Sequence, residues 1–295
     1  MRFHLTPILT LILLCATCNV AEHDKGIVQR HEVVTIPDVH IIVSLTELEN
    51  NRRELLTSLF ATMKKENEEK LPFDEPIHEY GWQLDGKLRP RWEYAYFHHK
   101  QRFGFNGDWY YTVTKNSAPF VPQVCADFIV DTIDRTAGTW YAASLKYPKR
   151  NIGHFDMRSE MKASKLIPER VPDLMTYFHA NPDKFNIILD NLEGEGPNTG
   201  NTLALQEWLN LKGAQYGDII FIRGRAPWDH EKEMHYHSLF VSGVDKNNNV
   251  TLVFGNPGYP VERTLKAEMN RAPKRHVIAI VRLTDNFLKK MNAEK

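Results

Sequence analysis

Cysteine is scarce in this chain: three occur in 295 residues, and two of them, Cys15 and Cys18, fall near the amino terminus. No disulfide framework can be built from that supply. Acid and base balance, with 37 Asp and Glu against 37 Lys and Arg, and no long basic run is interleaved with aromatics. That pattern argues against nucleic acid as a partner. No stretch reaches comfortable membrane-spanning length. No repeat of solenoid or propeller period recurs and no low-complexity tract occurs, which removes the repeat architectures and leaves one large domain or a domain with an appendage.

What is present begins with an export segment. Met1 and Arg2 precede the apolar run Leu5 to Ala16, and polar Glu22-His23-Asp24 follows. These are signal-peptide proportions, so residues 1–21 are expected to be a signal and the protein to be exported, periplasmic or extracellular. Two processing routes stay open: lipidation at Cys18 after Cys15-Ala16-Thr17, giving a membrane-tethered lipoprotein with a lipid anchor, or ordinary cleavage after Asn19-Val20-Ala21. Either way Cys125 is the one thiol left in the mature fold. An unpaired thiol in an oxidising compartment is a liability unless its chemistry is used.

The rest divides into four blocks. Ser44-Leu45-Thr46-Glu47 has capping-box spacing, and Leu48, Leu55, Leu56, Phe60 and Met63 recur at helical intervals up to Pro72, which predicts one long amphipathic helix. Pro72 to Pro90 is turn-rich, and Trp92 to Val113 is aromatic with strand character. The third block holds a cysteine-bearing helix and a long excursion, about 141–215, with short helical patterns. The last reads as strands at Ile219 to Ile222, His237 to Val244, Val250 to Phe254 and His276 to Leu283. The pattern predicts an α+β fold in which the cysteine helix packs on an antiparallel sheet, with a helical extension at 22–95 and the main domain at 96–295.

Pro122 suits the start of the cysteine helix and Gly138 its end. Asp127, Asp131 and Asp134 mark one polar stripe, while Cys125, Phe128, Ile129 and Ile133 share the opposite, apolar one. In the first helical turn, unsatisfied amides and the helix dipole favour an anion and lower a thiol pKa from about 8.5 toward 7.5 or below. Composition alone favours the bland alternative, a small apolar cysteine in a core.

The downstream strands weigh against that alternative. If Asp245-Lys246-Asn247-Asn248 closes a four-residue hairpin turn, Val244 lies opposite Asn249 and His237 opposite Asn256. Period-two alternation then puts His237, Leu239 and Val241 on one face with Val250, Leu252, Phe254 and Asn256, the face expected to cover the cysteine helix. A histidine held by an asparagine beside a thiol is a general base in position. A one-residue slip of register would break the pairing.

Val124-Cys125-Ala126-Asp127-Phe128-Ile129 opening a helix, Gly217-Asp218-Ile219-Ile220-Phe221 entering the sheet, and His237-Ser238-Leu239-Phe240-Val241 starting the next strand resemble the NlpC-like and CHAP-amidase-like cell-wall cysteine peptidases of the papain-like superfamily. The likeness spans roughly 105–283, with cysteine, histidine and polar third residue in the family's order. Two features depart from the family: Val124-Cys125-Ala126-Asp127 replaces the usual Asp-Cys-Ser-Gly, and the stretch before Gly217 is long. The resemblance implies a papain-like fold and a catalytic Cys125, His237 and Asn256 that hydrolyse an amide bond in cell-wall or other peptides without a cofactor. It also implies an oxyanion site built from the Cys125 amide and a side chain upstream. Tyr111 is the nearest candidate, with Tyr110 and Gln123 as alternatives.

Two other readings compete. His230, Glu233, His235 and His237 cluster within eight residues, a spacing that suits zinc. The aromatic block Trp92, Tyr94, Tyr96, Phe97, Phe103, Phe105, Trp109, Tyr110 and Tyr111 could line a groove in a non-catalytic wall-binding protein, although such clusters are more often core.

Overall fold

The computed structural model describes residues 31–36, 39–74, 77–79, 82–84, 88–191, 197, 201–224, 235–271 and 275–293. The export segment with Cys15 and Cys18, and the loop residues His230 and Glu233, lie outside them. Two compact units divide after Leu48. In the first, β1 (His31–Ile36) and β2 (Val39–Ser44) pair antiparallel, with Val33 opposite Ile42. The helix α1 (Leu45–Leu55) runs across the division.

The second unit, from Glu49 onward, continues with α2 (Thr57–Glu69), so the long helix expected before Pro72 is interrupted only at Leu56. It ends where Lys70 turns left-handed, at φ 49°, and donates to Asn67 O and Glu66 O. The next elements are β3 (Ile77–Glu79), β4 (Trp82–Leu84), α3 (Leu88–Phe97), β5 (Arg102–Phe105) and β6 (Asp108–Tyr111). Strand character was expected from Trp92 onward, yet Trp92 to Phe97 is helical. The Asp74 carboxylate accepts from Leu88 N at 2.8 Å and Arg89 N at 3.1 Å, a cap supplied from outside the local sequence.

Next come α4 (Cys125–Thr136), β7 (Trp140–Tyr141), β8 (Arg150–Asn151), α5 (Met157–Ala163), α6 (Val171–Ala180), β9 (Phe185–Asp190) and α7 (Thr202–Leu211). The chain finishes with β10 (Ile219–Gly224), β11 (His235–Val244), β12 (Val250–Gly255), β13 (Val261–Thr264), α8 (Leu265–Asn270), β14 (Arg275–Leu283) and α9 (Asp285–Met291). A six-stranded antiparallel sheet, ordered β13-β12-β11-β10-β14-β9, is the centre of this α+β unit.

Alternation gives the sheet two buried faces. Ile219, Phe221, Phe240 and Phe254 pack with α4 and with apolar residues of α2, α5, α6 and α9. Ile220, Ile222, Leu239, Val241 and Val253 pack with Leu205 and Leu209 of α7 and Leu265 and Met269 of α8. Phe128 of α4 lies 5.8 Å from Phe240 and 5.7 Å from Phe254, ring to ring. Gly217, at φ 87°, leads into β10 where any Cβ would run into Leu56. Trp92, Tyr96, Phe103 and Phe105 of the aromatic block form a small core with Tyr141, whereas Tyr94, Phe97, Trp109 and Tyr111 are exposed. No helix among the described residues is long and apolar enough to cross a membrane.

The domain outline follows from packing. A boundary at residue 95 falls inside α3, whose Arg89 is bound to α4. The 141–215 excursion supplies β9 to the central sheet and Arg158 to α4. The polar stripe of α4 is buried, not solvated. Arg89 forks onto Asp131 at 2.6 and 2.9 Å, while Arg158 reaches Asp131 at 3.0 Å, pairs with Asp127 and holds Glu169 at 2.7 Å. Burial would raise the Asp131 carboxyl, but the two guanidinium groups outweigh it and hold the pKa down at about 2.

Removing one partner of a buried ion set strands the others, so Arg158→Met should cost about 3 to 5 kcal/mol in urea unfolding at neutral pH. Because Asp131 is depressed in the fold, its contribution is present above the ordinary carboxylate range and is lost as pH falls through about 2. Acid unfolding of Arg158→Met should therefore begin at higher pH than in the parent, and a loss under about 1 kcal/mol would mean that Arg89 alone neutralises the stripe.

Candidate active site

Cys125 is the first residue of α4 and is partly buried. Val124 before it is extended, and its N–H is taken by Asp127 Oδ2 at 3.2 Å, closing the start of the helix with a side chain three residues on. The amide N–H groups of Cys125 and Ala126 make no hydrogen bond among the described residues, as expected for the orphan donors of a first turn. Two contacts hold the nucleophile against β11: Ser238 Oγ donates to Cys125 O at 2.6 Å, and Sγ lies 3.9 Å from Tyr236 O.

His237 is buried on β11 near the Cys125 thiol, and each group shifts the pKa of the other. Its Nε2 is 3.3 Å from Glu268 Oε1, which leaves Nδ1 for the sulfur. Glu268 stands on α8, packed beneath the sheet by Leu265 and Met269. Its second oxygen faces Arg263 at 3.3 Å and Arg271 at 3.8 Å. Thiol, imidazole and carboxylate thus form one chain, Cys125–His237–Glu268.

The electrostatics run one way. Burial would raise the Cys125 thiol, but hydrogen bonding to His237, the imidazole charge and the Ser238 donors outweigh it and bring the thiol below its ordinary value. Burial would lower His237, yet the hydrogen bonds to Cys125 and Glu268 and their charges raise it. Glu268, raised by burial but lowered more by His237, Arg271 and Arg263, is held at about 2. Both shifts move the couple toward a thiolate–imidazolium pair. Buried Arg275, at the start of β14, adds a cation to this neighbourhood: burial lowers its pKa while the charges of Cys125 and Glu268 hold it up.

Comparison with family models, with curated proteins and with solved structures returns no match. The reading of this site therefore rests on its geometry.

The expected partnership of His237 with Asn256 does not form. Asp245 and Asn249 close the β11–β12 turn, with Asp245 N donating to Asn249 O at 3.0 Å, and Asn248 adopts φ 62°. Val244 consequently pairs with Val250 and Leu239 with Gly255, one residue out from the four-residue turn assumed above. A slip of one flips every side chain. Phe240 and Phe254 face α4, Leu239 and Val241 face α8, and His237 shares parity with the latter. Beyond Gly255 β12 has ended, so among the described residues the ladder flanks His237 only with Ile222 of β10. Asn256, fully buried, donates from Nδ2 to Gln123 O at 3.3 Å.

The side-chain oxyanion candidates fare no better. Tyr111 is 60% exposed on β6 and, among the described residues, makes no side-chain hydrogen bond. Tyr110 stacks on Phe103, and Gln123 gives its amide to Asp131 at 2.8 Å. No group of three His, Cys, Asp or Glu among the described residues is arranged to hold a metal ion, and His237 is already engaged by the thiol and Glu268. Glu268 escaped sequence reasoning because α8 is a short helix of six residues. Its available signal was local: Thr264 caps the helix, and Leu265 and Met269 on its inner side make Glu268 a carboxylate beside a core face.

Iodoacetamide should alkylate Cys125 in the native protein faster near neutral pH than it alkylates a model thiol, and His237→Ala should slow the reaction. Glu268 stabilises the imidazolium, which stabilises the thiolate, so Glu268→Gln lowers His237 and raises Cys125. The pH midpoint of alkylation should move upward in that variant. An unmoved midpoint would remove Glu268 from the site, and a thiol that reacts only after denaturation would remove the site altogether.

Proposed function

We propose that this protein is an exported cysteine hydrolase, a peptidase or amidase of NlpC-like, papain-like type, that cleaves an amide bond in cell-wall peptides. The observation that carries the proposal is the Cys125 thiol at a helix start, near a buried imidazole that lowers its pKa and whose Nε2 faces a carboxylate. The α+β unit, with the cysteine helix on an antiparallel sheet, is compatible with that superfamily. The signal-like segment and the resemblance of the three short motifs support the compartment and the substrate class.

In the proposed reaction the Cys125 thiolate attacks the amide carbonyl carbon while the carbonyl π pair moves to oxygen. The developing oxyanion accepts from the orphan N–H groups of Cys125 and Ala126, a type of contact worth about 3 to 4 kcal/mol per donor. His237 then gives its proton to the leaving nitrogen, the C–N bond breaks, and an acyl-thioester remains. Water, deprotonated by His237, attacks the thioester and restores the thiol. Glu268 keeps the ring oriented and stabilises its charged form, the part expected above of Asn256.

Defined muropeptides incubated with the protein should yield products one amide bond shorter, detected by mass, and Cys125→Ala should abolish them. Loss of the base in His237→Ala should lower turnover roughly 10²- to 10⁴-fold, and Glu268→Gln should lower it by less. Hydrolysis that survives Cys125→Ala, or that vanishes with a chelator, would sink the proposal.

A further inference from the structure

We infer that Asn256 is a positioning residue for the nucleophile's backbone: together with Ser238 it pins the peptide units on either side of the Val124–Cys125 peptide bond, so that the Cys125 N–H stays aimed at the oxyanion. The inference rests on the reading of Cys125 as a carbonyl-attacking nucleophile.

The contacts converge on three successive residues. Asn256 Nδ2 donates to Gln123 O, and Asn256 Oδ1 accepts from Gly258 N at 3.2 Å, so both ends of the buried amide are set. Gln123 O also accepts from Asp74 N at 3.0 Å, and Gln123 N donates to Pro72 O at 2.9 Å. Ser238 Oγ holds Cys125 O on the other side. Between the two held carbonyls, Val124 N–H is occupied by Asp127, whereas Cys125 N–H is uncommitted among the described residues, as is the Ala126 N–H just beyond them. Peptide units are planar, so fixing both neighbours leaves the intervening N–H little freedom to swing.

The same register that separates Asn256 from His237 creates this clamp. With Leu239 opposite Gly255, continuing the ladder sets Asn256 against Ser238, both with the parity of Phe240 and Phe254, which face α4. The two clamping side chains thus rise together beneath the start of the cysteine helix. His237 takes its orientation from Glu268 on the other face.

Two probes separate oxyanion alignment from thiolate formation. Iodoacetamide is attacked at a saturated carbon, with no oxyanion at the site, and reads the thiolate alone. The peptide aldehyde acetyl-alanyl-alaninal adds sulfur to its carbonyl carbon, and the carbonyl oxygen, as the anion or after taking the imidazolium proton, lies where the oxyanion would. Asn256→Asp keeps shape but loses the donor to Gln123 O, and Asn256→Ser serves if that variant fails to fold. The expected result is an iodoacetamide rate within about twofold of the parent with an unmoved pH midpoint, and aldehyde affinity reduced about tenfold or more, a fraction of what a whole oxyanion donor supplies. Where muropeptide turnover is measured, kcat should fall with little change in KM. A parallel fall of both probes would mean that Asn256 acts through the thiol–imidazole pair, and no change in either would deny it any positioning role; each overturns the inference alone. A parent protein that alkylates readily yet takes no aldehyde would overturn the hydrolase reading and the inference with it.

Discussion

Along the side of α4 turned away from the sheet, Asp127, Asp131 and Asp134 are buried, and each meets an arginine from a distant part of the chain. Arg89 comes from α3 and Arg158 from α5, while Asp134 also accepts the first amides of α5, Met157 N at 2.6 Å and Arg158 N at 3.3 Å. Uncompensated carboxylates could not be buried at this depth, so the helix is inside only because α3 and α5 come with it. That constraint explains why the segments before and after α4 are parts of one packed unit. It also fixes the axial position of Cys125, since the helix that carries it is tied on its polar side and packed by Phe128 on its apolar side.

On this rigid helix the site is assembled from both faces of the sheet. The thiol and its backbone clamps, Ser238 and Asn256, lie on the α4 side; the imidazole and Glu268 belong to the α8 side. β12 stops at Gly255 and leaves β11 without a ladder partner on that side at His237. A Cβ at position 255 would run into the Leu239 side chain while meeting His237 Nε2 only at an ordinary contact distance of 3.5 Å, so the glycine there makes room for Leu239. Charge is arranged to match: Arg263 and Arg271 hold Glu268, Glu268 holds His237, and His237 draws the thiol toward its ionised form.

Much of this was legible from local pattern. The C-terminal strands appear close to where alternation placed them, and the cysteine helix stops just before its Gly138 signal, although it starts at Cys125 and not at Pro122; Cys125 and His237 lie near enough to shift each other's pKa. Those features depend on side-chain periodicity and on residue types with few alternatives, which a linear reading captures. The third group of the site was not legible. Asn256 was assigned to His237 on a turn length, and one residue of register, set by the left-handed Asn248 and the Asp245–Asn249 closure, moved it to the other face.

The sequence by itself therefore determined the helix that bears Cys125, the strand that bears His237 and the lack of cysteines for a disulfide frame, because each follows from composition or from a period of two or 3.6. Tertiary structure alone decided that the acidic stripe of α4 is buried, that a carboxylate on the short helix α8 reaches the histidine, and that Asn256 holds the backbone carbonyl of Gln123. These depend on groups 31 to 133 residues apart in the chain, such as Arg158 with Asp127, Glu268 with His237 and Asn256 with Gln123, whose meeting is set by packing and register and leaves no periodic trace.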